Sequence, residues 1–373
     1  MVQTSTKPQV YPTMPGRDYH AEDVFDLERE KIFHDGWVCV GRAELLANPG
    51  DFITREIFGE SVLIVRTKDG ELKGFYNVCR HRGTRLCDDE GQMKSVIKCP
   101  YHSWTYSFDG ELLGTPNVHP DEGFDKTQYP LWNVALDVWE GFLFVHLGEN
   151  PQSLLEWLRN DPDDPLQFER YRVKDLRIGK RISYDVQANW KIVMENYNEC
   201  LHCPSVHPEL VSIVPIYRKG EVIEKEGWVG NTLIEGGTSF TFDGHSKLPP
   251  LPGIDDIDRH AYYGFALFPT LLINYHSDCV MTYQLWPVSP DRTIVVSEFL
   301  FMPETIESAD FDPSEVVDFW DLVSRQDWVI CERAHIGTRS KAYTSGVFPK
   351  QDGLLHEFTE RYLKVRGPAT AKG

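Results

Sequence analysis

The feature that most constrains this chain is a pair of short segments that each carry one cysteine and one histidine. The first, CRHRG, contains Cys79 and His81, and the second, CPYHSW, contains Cys99 and His102. Each pair lies on a turn of its own, and seventeen residues, 82 to 98, lie between the pairs. Four such side chains can hold a tetrahedral zinc ion or a two-iron cluster, so the residue types leave both centres open.

The order of these four residues favours the two-iron cluster. Zinc sites more often combine a C-x2-C pair with an H-x3–5-H pair. In a Rieske centre, two thiolates hold one iron and two imidazoles hold the other, so each turn presents one cysteine and one histidine. Gly83, Pro100 and Ser103 suit tight turns around such a cluster, and Trp104 can pack over it to limit water.

The sequence around these turns has the pattern typical of a small antiparallel β domain. From about residue 38 to residue 148, short alternating or apolar runs such as SVLIVRTKDG and GFLFVHL are separated by Gly, Asp and Asn. The pairs Asp69-Gly70 and Asp109-Gly110 lie between runs, as hairpin turns do.

A second stretch, ENYNECLHCPSVHPEL at residues 195–210, also carries metal-ligand residue types. Cys200, Cys203 and the two histidines could hold zinc, although four ligands would crowd into eight residues with a proline among them. A mononuclear Fe(II) that activates O₂ instead uses two imidazoles and one carboxylate. His202 and His207 supply the two imidazoles for that interpretation.

The spacing of these histidines requires a break in the helix. On a continuous helix, residues i and i+5 point about 140° apart, so His202 and His207 would not converge. Pro204 lies between them and is expected to end the helix, which would let His207 fold back toward His202.

The third ligand of such an iron must come from elsewhere, and a helix predicted at about 313–336 offers Asp318, Asp321 and Asp327. A turn of about 100° per residue places four apolar residues on one arc: Phe319, Val323, Ile330 and Ala334. Asp327 lies at the edge of this arc, while Asp318 and Asp321 point away. Because a carboxylate on a core-facing arc is costly unless it is paired or metal-bound, we expect Asp327 to be the ligand.

The remaining pattern predicts an α+β chain with two cores, as 373 residues allow. One curved antiparallel sheet gripping a long helix would fit the order of elements after residue 149. The predicted elements are an amphipathic helix at 19–37, helices at 151–171 and 189–201, a strand at 178–188 and several strands at 262–300. The Gly- and Pro-rich stretch at 215–260 is predicted to form loops that cover a pocket.

The composition excludes some classes of partner. The formal net charge of −19 disfavours nucleic acid and acidic membranes, and no apolar run reaches the roughly 18 residues of a membrane span. With no signal-peptide pattern, we expect a cytoplasmic protein whose eight cysteines stay reduced. The chain has no GxGxxG nucleotide fingerprint.

The segment CRHRG…CPYHSW resembles the cluster-binding motif of Rieske non-haem iron oxygenase α subunits. The resemblance implies a Rieske β domain joined to a helix-grip catalytic domain, with boundaries at 1–37 for an N-terminal segment packing with the catalytic domain, 38–148 for the Rieske [2Fe-2S] domain and 149–373 for the catalytic domain. It implies that Cys79 and Cys99 bind one iron and that His81 and His102 bind the other. In this family a C-terminal helix contributes the carboxylate, which agrees with Asp327.

The same resemblance gives Glu199 a role. In the family, an acidic residue at this place links a Rieske histidine of one subunit to an iron-ligand histidine of its neighbour. Carried over, electrons pass from His102 through Glu199 to His202 of the adjacent protomer, which implies a homotrimer. Many members of the family have aspartate at this position, so Glu199 differs from them in residue type but not in its expected role. The resemblance also implies O₂ as co-substrate and a separate NAD(P)H-dependent reductase, with or without a ferredoxin.

For the substrate, the stretch NWKIVMENYNEC…HCPSVHPEL is similar to the oxygenases of glycine betaine and carnitine, which implies oxidative N-demethylation of a quaternary ammonium compound. Such a cation needs aromatic ring faces, although an aromatic stripe on a strand is usually core. The candidate rings are Tyr197, Tyr262, Tyr263, Phe265, Tyr275, Tyr283 and Trp286. Ring hydroxylation of an aromatic acid is the alternative, and a zinc-bearing binding protein is a more remote one.

Overall fold

The computed structural model describes residues 10–116, 118, 123–161, 164–225 and 228–368. Residues 1–9 of the predicted N-terminal segment and residues 369–373 therefore lie outside the described residues.

The strands of the described residues are β1 Val10–Pro12, β2 Val38–Arg42, β3 Asp51–Ile57, β4 Glu60–Arg66, β5 Leu72–Tyr76, β6 Glu90–Gln92, β7 Ile97–Lys98, β8 Thr105–Tyr106, β9 Leu112–Gly114, β10 Asn133–Trp139, β11 Phe142–His146, β12 Arg177–Val186, β13 Asn231–Thr232, β14 Ala261–Leu267, β15 Leu271–Tyr275, β16 Val280–Ser289, β17 Arg292–Phe301 and β18 Val347–Pro349.

The α-helices of the same residues are α1 Arg17–His20, α2 Glu22–Glu28, α3 Leu154–Arg159, α4 Trp190–Tyr197, α5 Cys203–Val206, α6 Pro208–Ile213, α7 Pro303–Ile306, α8 Ser314–Thr338 and α9 Gly353–Arg366. A π-helix spans Arg29–His34. Short 3-10 helices span Ala43–Leu46, Lys126–Gln128, Pro165–Tyr171, Val173–Asp175, Pro215–Lys219, Asp258–His260 and Lys350–Asp352.

The chain divides into two compact units. The smaller unit is Phe33–Leu158, and the larger unit combines Met1–Ile32 with Arg159–Gly373. No helix among the described residues is both long and apolar enough to cross a membrane.

The smaller unit is antiparallel β structure, as its sequence predicts. A seven-stranded sheet has the order β2-β11-β10-β5-β4-β3-β6, and a three-stranded sheet has the order β7-β8-β9. Apolar and β-branched residues fill its central strands, and the middle of β4 is fully buried. The Asp69-Gly70 pair lies in the β4–β5 connection, where Gly70 has a φ of +92°, so the predicted hairpin turn is confirmed.

The larger unit is built on a six-stranded antiparallel sheet of order β12-β17-β16-β15-β14-β13. The strands predicted at 178–188 and 262–300 are confirmed. The predicted helix at 151–171 is instead two pieces, α3 and the 3-10 helix Pro165–Tyr171, because Pro165 begins the second piece.

The long helix α8 lies against this sheet, as a helix-grip arrangement requires. The hydroxyl of Tyr184 on β12 donates to Asp321 at 2.8 Å, and the hydroxyls of Tyr283 on β16 and Ser324 lie 2.6 Å apart. The apolar arc predicted for α8 is correct for its first half, but Ala334 is exposed. Near the end of the helix the buried face shifts to residues such as Cys331, because a 25-residue helix meets different neighbours along its length.

Candidate metal centres and adjoining cavities

The first cysteine–histidine turn is closed by two backbone hydrogen bonds. The amide of Cys79 donates to the carbonyl of Thr84 at 2.8 Å, and the amide of Gly83 donates to the carbonyl of Cys79 at 3.0 Å. Gly83 has a φ of +74°, which a residue without a Cβ adopts readily. The turn therefore folds tightly around the space beside the Cys79 sulfur.

The second turn repeats the first one bond for bond. The amide of Cys99 donates to the carbonyl of Trp104 at 2.8 Å, and the amide of Ser103 donates to the carbonyl of Cys99 at 3.1 Å. Ser103, at the position that corresponds to Gly83, also has a positive φ, of +60°. Two equivalent turns thus present one cysteine and one histidine each.

The sulfurs and the imidazoles of these turns occupy different depths. Cys79 and Cys99 belong to the apolar core of the smaller unit and are 2% and 1% exposed. His81 is exposed and His102 is half-buried, and their ring centroids lie 4.6 Å apart. Trp104 stacks on His81 with a centroid distance of 4.6 Å. This two-ended set, thiols inside and imidazoles outside, matches the chemistry of a cluster with one thiolate iron and one imidazole iron.

Tyr106 is a residue of this site that sequence reasoning missed. Its hydroxyl oxygen accepts the amide hydrogen of Arg80 at 3.0 Å and lies 3.2 Å from the sulfur of Cys79. Because the oxygen already accepts, its own proton is directed at the sulfur. Burial raises the pKa of the Cys79 thiol, so the thiolate needs this hydrogen bond and a bound cation to persist.

The second stretch folds differently from the expected single helix. Helix α4 ends at Tyr197, and Pro204 lies in the first turn of the separate helix α5. The prediction that Pro204 ends the helix is therefore wrong: proline is accommodated there because first-turn N–H groups have no helical partner. His202 and His207 lie at the two ends of α5, outside its regular helix.

This geometry brings three predicted residues to one point. Nε2 of His202 lies 3.2 Å from Nε2 of His207. Oδ1 of Asp327 lies 2.8 Å from Nε2 of His207 and 3.2 Å from Nε2 of His202. These three atoms form a set that could hold one metal ion, and two imidazoles with one carboxylate are the ligands typical of non-haem iron.

The outer nitrogen of each histidine is bonded to an acceptor. Nδ1 of His202 lies 2.5 Å from a carboxylate oxygen of Glu199, and Nδ1 of His207 lies 2.7 Å from Oε1, the side-chain amide oxygen, of Gln326. Each Nδ1 therefore carries the proton, and each Nε2 of a neutral ring carries a lone pair. Two such lone pairs 3.2 Å apart would repel, so the histidine pair needs a proton or a metal ion between the two Nε2 atoms.

The pKa shifts of His202 and Asp327 also indicate a site for a cation. Burial lowers the pKa of His202, but the hydrogen bonds that it donates to Asp327 and Glu199 outweigh burial and raise that pKa to about 10. Burial also raises the pKa of Asp327, but hydrogen bonds from both histidines lower it below the usual range. The site therefore favours a positive charge, which a metal ion supplies better than a proton.

The two cysteines of this stretch are not among the converging atoms. Cys200 and Cys203 are joined in a disulfide, with their Cα atoms 4.9 Å apart. The expectation that all cysteines stay reduced is therefore wrong for this pair, because the C-x2-C spacing across a tight bend brings the two sulfurs together. Both residues are buried beside the three converging ligands.

A second buried group, His276, Asp278 and Cys279, also meets the distance requirement for a metal. Both carboxylate oxygens of Asp278 accept from the hydroxyl of Ser239, at 3.0 and 2.9 Å, and one accepts from Ser246 as well. The acid is already satisfied by neutral donors, so we interpret this group as structural.

Among the described residues, one cavity is lined by the converging ligands, and a second, larger cavity shares part of its wall. The inner cavity, about 70 Å³, is lined by His202, His207 and Asp327 together with Glu199. The outer cavity is about 360 Å³. Their walls have four residues in common: Tyr197, Tyr217, Val222 and Tyr262.

Aromatic rings dominate these walls. Of the seven rings proposed from the sequence, Tyr197, Tyr262, Tyr283 and Phe265 line a cavity. The other three are not among the lining residues: Tyr263, Tyr275 and Trp286. Rings that sequence reasoning missed complete the walls: Phe168, Tyr217, Trp228, Trp320 and Trp328. They lie on segments far apart in sequence, so no local pattern could have identified them.

Comparisons with known families match both units. Residues 173–366 match the family described as ring hydroxylating alpha subunit (catalytic domain), and residues 36–134 match the Rieske [2Fe-2S] domain.

Two curated relatives cover nearly the whole chain. The carnitine monooxygenase oxygenase subunit of Escherichia coli strain K12 is 32% identical and covers 94% of this chain and 92% of its own. The glycine betaine monooxygenase oxygenase subunit of Pseudomonas aeruginosa strain PAO1 is 28% identical and covers 96% and 91%.

Solved structures agree with these relatives. The quaternary ammonium Rieske monooxygenase CntA in complex with its substrate L-carnitine has a TM-score of 0.76 at 26% identity, with 97% of each chain covered. A quaternary ammonium Rieske monooxygenase described in terms of carnitine oxidation and inter-subunit electron transfer has a TM-score of 0.79 at 26% identity, again with 97% of each chain covered.

Proposed function

The chain belongs to the family of Rieske non-haem iron oxygenase α subunits, and on that premise we propose that it is a terminal oxygenase that removes an N-methyl group from a quaternary ammonium compound. The family makes it an oxidoreductase with a [2Fe-2S] Rieske cluster and a mononuclear iron, and O₂ is its co-substrate. One observation carries the substrate class: an aromatic cavity adjoins the three converging ligands.

In this proposal, residues 38–148 form the cluster domain and residues 149–373, with the segment 1–37, form the catalytic domain. Cys79 and Cys99 hold one iron of the cluster, and His81 and His102 hold the other. The burial of both sulfurs and the outward position of both imidazoles support this assignment. The imidazole end of the cluster is then its more exposed end, and we propose that electrons leave through it.

His202, His207 and Asp327 would hold the mononuclear iron. When bound, this iron supplies the reduction of O₂ and the insertion of one oxygen atom into a C–H bond. The chain keeps the ligands ready for it, because Glu199 and Gln326 fix the orientation and the tautomer of the two rings.

The aromatic walls suit a methylated cation. A quaternary ammonium group has no N–H to donate, so ring faces attract it, at about 0.5–2 kcal/mol per contact. One oxygen atom of O₂ enters a methyl C–H bond, and the other leaves as water with two electrons and two protons. The hydroxymethyl ammonium product then releases formaldehyde and a proton, leaving a tertiary amine.

The electrons would come from a separate NAD(P)H-dependent reductase, directly or through a ferredoxin. We propose a cytoplasmic homotrimer that forms a closed head-to-tail ring, in which Glu199 links His102 of one protomer to His202 of the next. Glu199 supports this role, since it bonds to His202 and its side chain still has 17% of its surface exposed.

The test combines metal analysis with a substrate screen. Purified protein should be red-brown and contain acid-labile sulfide and about three iron atoms per chain, two for the cluster and one mononuclear. With a surrogate reductase, methylated ammonium compounds should release formaldehyde. Turnover of aromatic acids without formaldehyde would instead support ring hydroxylation, and colourless protein with stoichiometric zinc would refute the oxygenase assignment.

A further inference from the structure

The outer cavity contains a buried pair of polar side chains with unused hydrogen-bonding capacity. Asn231 on β13 is 4% exposed, and Tyr217 on the 3-10 helix Pro215–Lys219 is 6% exposed. Nδ2 of Asn231 donates to the hydroxyl oxygen of Tyr217 at 3.3 Å. Oδ1 of Asn231 has no partner among the described residues. The Tyr217 hydroxyl accepts this bond and still has its own proton to donate. The pair therefore presents one acceptor, Oδ1 of Asn231, and one donor, the hydroxyl of Tyr217.

A donor beside an acceptor is complementary to an alcohol, because a hydroxyl group both donates and accepts. A carboxylate only accepts, so it would satisfy Tyr217 and leave the oxygen of Asn231 facing another oxygen. Reversing the Asn231 amide exchanges the two roles and still leaves one donor and one acceptor. A buried polar atom without a partner costs about 1–3 kcal/mol, and a ligand hydroxyl would remove that cost.

The other polar groups of the shared walls are already engaged. The hydroxyls of Tyr197 and Tyr262 both donate to Oδ1 of Asn274, at 3.0 and 2.6 Å. These two residues therefore offer the cavity their rings rather than their hydroxyls. Asn198 also lines the outer cavity, and its amide nitrogen donates to the carbonyl of Met194 at 2.7 Å. Tyr217 and Asn231 are therefore the hydrogen-bonded pair of side chains in that cavity that presents both a donor and an acceptor.

The charge of the walls also disfavours a carboxylate. Among the described residues, neither cavity is lined by a lysine or an arginine. Lys225 lies close by, with Nζ 4.4 Å from the ring centroid of Trp228, but it is not a lining residue. A carboxylate between these walls would be desolvated without a partner, which is costly.

We propose that Tyr217 and Asn231 recognise an alcohol group, and that the substrates are N-methylated ammonium alcohols without a carboxylate. The inference rests on the proposed function, because it assumes that a methyl group is the reacting end. Asn231 lines only the outer cavity. An alcohol held there directs the cationic head toward the inner cavity and its converging ligands.

Three matched compounds test the inference on the holoenzyme with a surrogate reductase. Choline has a hydroxyl, ethyltrimethylammonium has the same cation without it, and glycine betaine has a carboxylate instead. One hydrogen bond changes an affinity by about tenfold. We therefore expect kcat/KM for formaldehyde release to be about tenfold higher for choline than for either of the other two.

Tyr217→Phe should remove this preference. It should lower kcat/KM for choline by about tenfold and leave ethyltrimethylammonium within about twofold, because only choline has the group that the lost hydroxyl meets. Asn231→Leu should act in the same direction. Thr232→Val is the matched control, since Thr232 is the exposed neighbour of Asn231 on the same strand, and it should change neither substrate.

Several outcomes would overturn the inference. Glycine betaine could be the best substrate and depend on Lys225, as a Lys225→Gln variant would reveal. Tyr217→Phe could affect choline and ethyltrimethylammonium equally. Oxidation of choline at its alcohol carbon instead of formaldehyde release would mean that the ligand is held in the opposite orientation.

Calorimetric binding separates this inference from the proposed function. If no N-methyl compound is turned over by fully loaded enzyme, the demethylase proposal fails. Tighter binding of choline than of ethyltrimethylammonium, lost in Tyr217→Phe, would then still support alcohol recognition. Equal binding of the two cations would refute it.

Discussion

His207 and Gln326 are 119 residues apart in the chain and are joined by a hydrogen bond of 2.7 Å between Nδ1 and Oε1. The amide of Gln326 is fixed in this orientation, because its nitrogen donates to Glu209 at 3.1 Å. The bond keeps the proton of the neutral imidazole on Nδ1 and turns the Nε2 lone pair toward Asp327. Gln326, the residue before the predicted ligand Asp327, thus sets the tautomer of a second predicted ligand, His207.

Gln326→Leu should weaken mononuclear iron binding by about 10–100-fold, the usual effect of losing a partner that orients a metal ligand. Iron analysis should show the loss while the colour and sulfide content of the cluster stay unchanged. Gln326→Glu combined with Glu209→Gln keeps an acceptor for Nδ1 without placing two carboxylates together, and this double variant should retain most of the iron. Equal iron content in all three proteins would mean that Gln326 does not orient His207.

Asp327→Ala should abolish both mononuclear iron binding and turnover, because it removes the only carboxylate among the three converging ligands. The cluster absorbance should persist, since its ligands lie in the other unit. Asp318→Ala is the matched control on the same helix, and its exposed side chain should be dispensable. Normal turnover of Asp327→Ala would remove this residue from the iron site.

Glu199→Gln should keep both iron centres and slow the transfer of electrons between them. The amide cannot accept as strongly from Nδ1 of His202, so we expect kcat to fall by about 10–100-fold. Stopped-flow reoxidation of the reduced cluster, in the presence of O₂ and substrate, measures this step directly. Glu304→Gln, at an exposed position, should reoxidise at the normal rate, and an unaffected Glu199→Gln would refute the relay.

Glu28→Ala should destabilise the larger unit by about 3–5 kcal/mol, because it leaves a buried charge unpaired. Glu28 and Lys191 are both 0% exposed, and the ammonium lies 2.6 Å from the carboxylate. Glu28 also accepts from the indole of Trp190 and the hydroxyl of Tyr362. Denaturant unfolding measures the loss, and Glu30→Ala, at an exposed position of the following turn, should have little effect.

Glu195 should make stability depend on pH. Burial raises the pKa of this carboxyl from 4.5 to about 7, although the hydroxyl of Tyr19 and the charge of Lys191 lower it in part. Because the folded pKa is the higher one, the protonated acid contributes stability that is complete below about pH 4.5. That contribution is lost as pH rises through about 7, and it corresponds to about 3 kcal/mol.

Replacement of Glu195 by glutamine isolates this contribution. Glutamine keeps the shape of the protonated acid and has no charge to gain. The wild type should therefore lose stability relative to Glu195→Gln between about pH 4.5 and pH 7. Thermal unfolding of both proteins at several pH values measures the difference, and parallel pH profiles would contradict the prediction.

The sequence by itself predicted most features that depend on local spacing, although it missed the disulfide between Cys200 and Cys203. The two cysteine–histidine turns follow from residues that are at most three apart, so their hydrogen bonds form within one loop. The strands follow from alternation of apolar residues, and α8 follows from its helical period. His202 and His207 were identified as the two imidazoles that a mononuclear iron site uses, and Asp327 was identified because a carboxylate on a core-facing arc is costly to bury without a metal or a partner.

Only the tertiary structure decided features that combine distant segments. The partnership of His207 with Gln326, the contact of Tyr106 with Cys79, and the walls of both cavities depend on how elements pack. The helix break was placed at Pro204 but occurs at Tyr197, since the end of a helix depends on its surroundings as well as on proline. Local propensity carries no information on which side chains meet across such distances, so the choice of substrate is decided by packing.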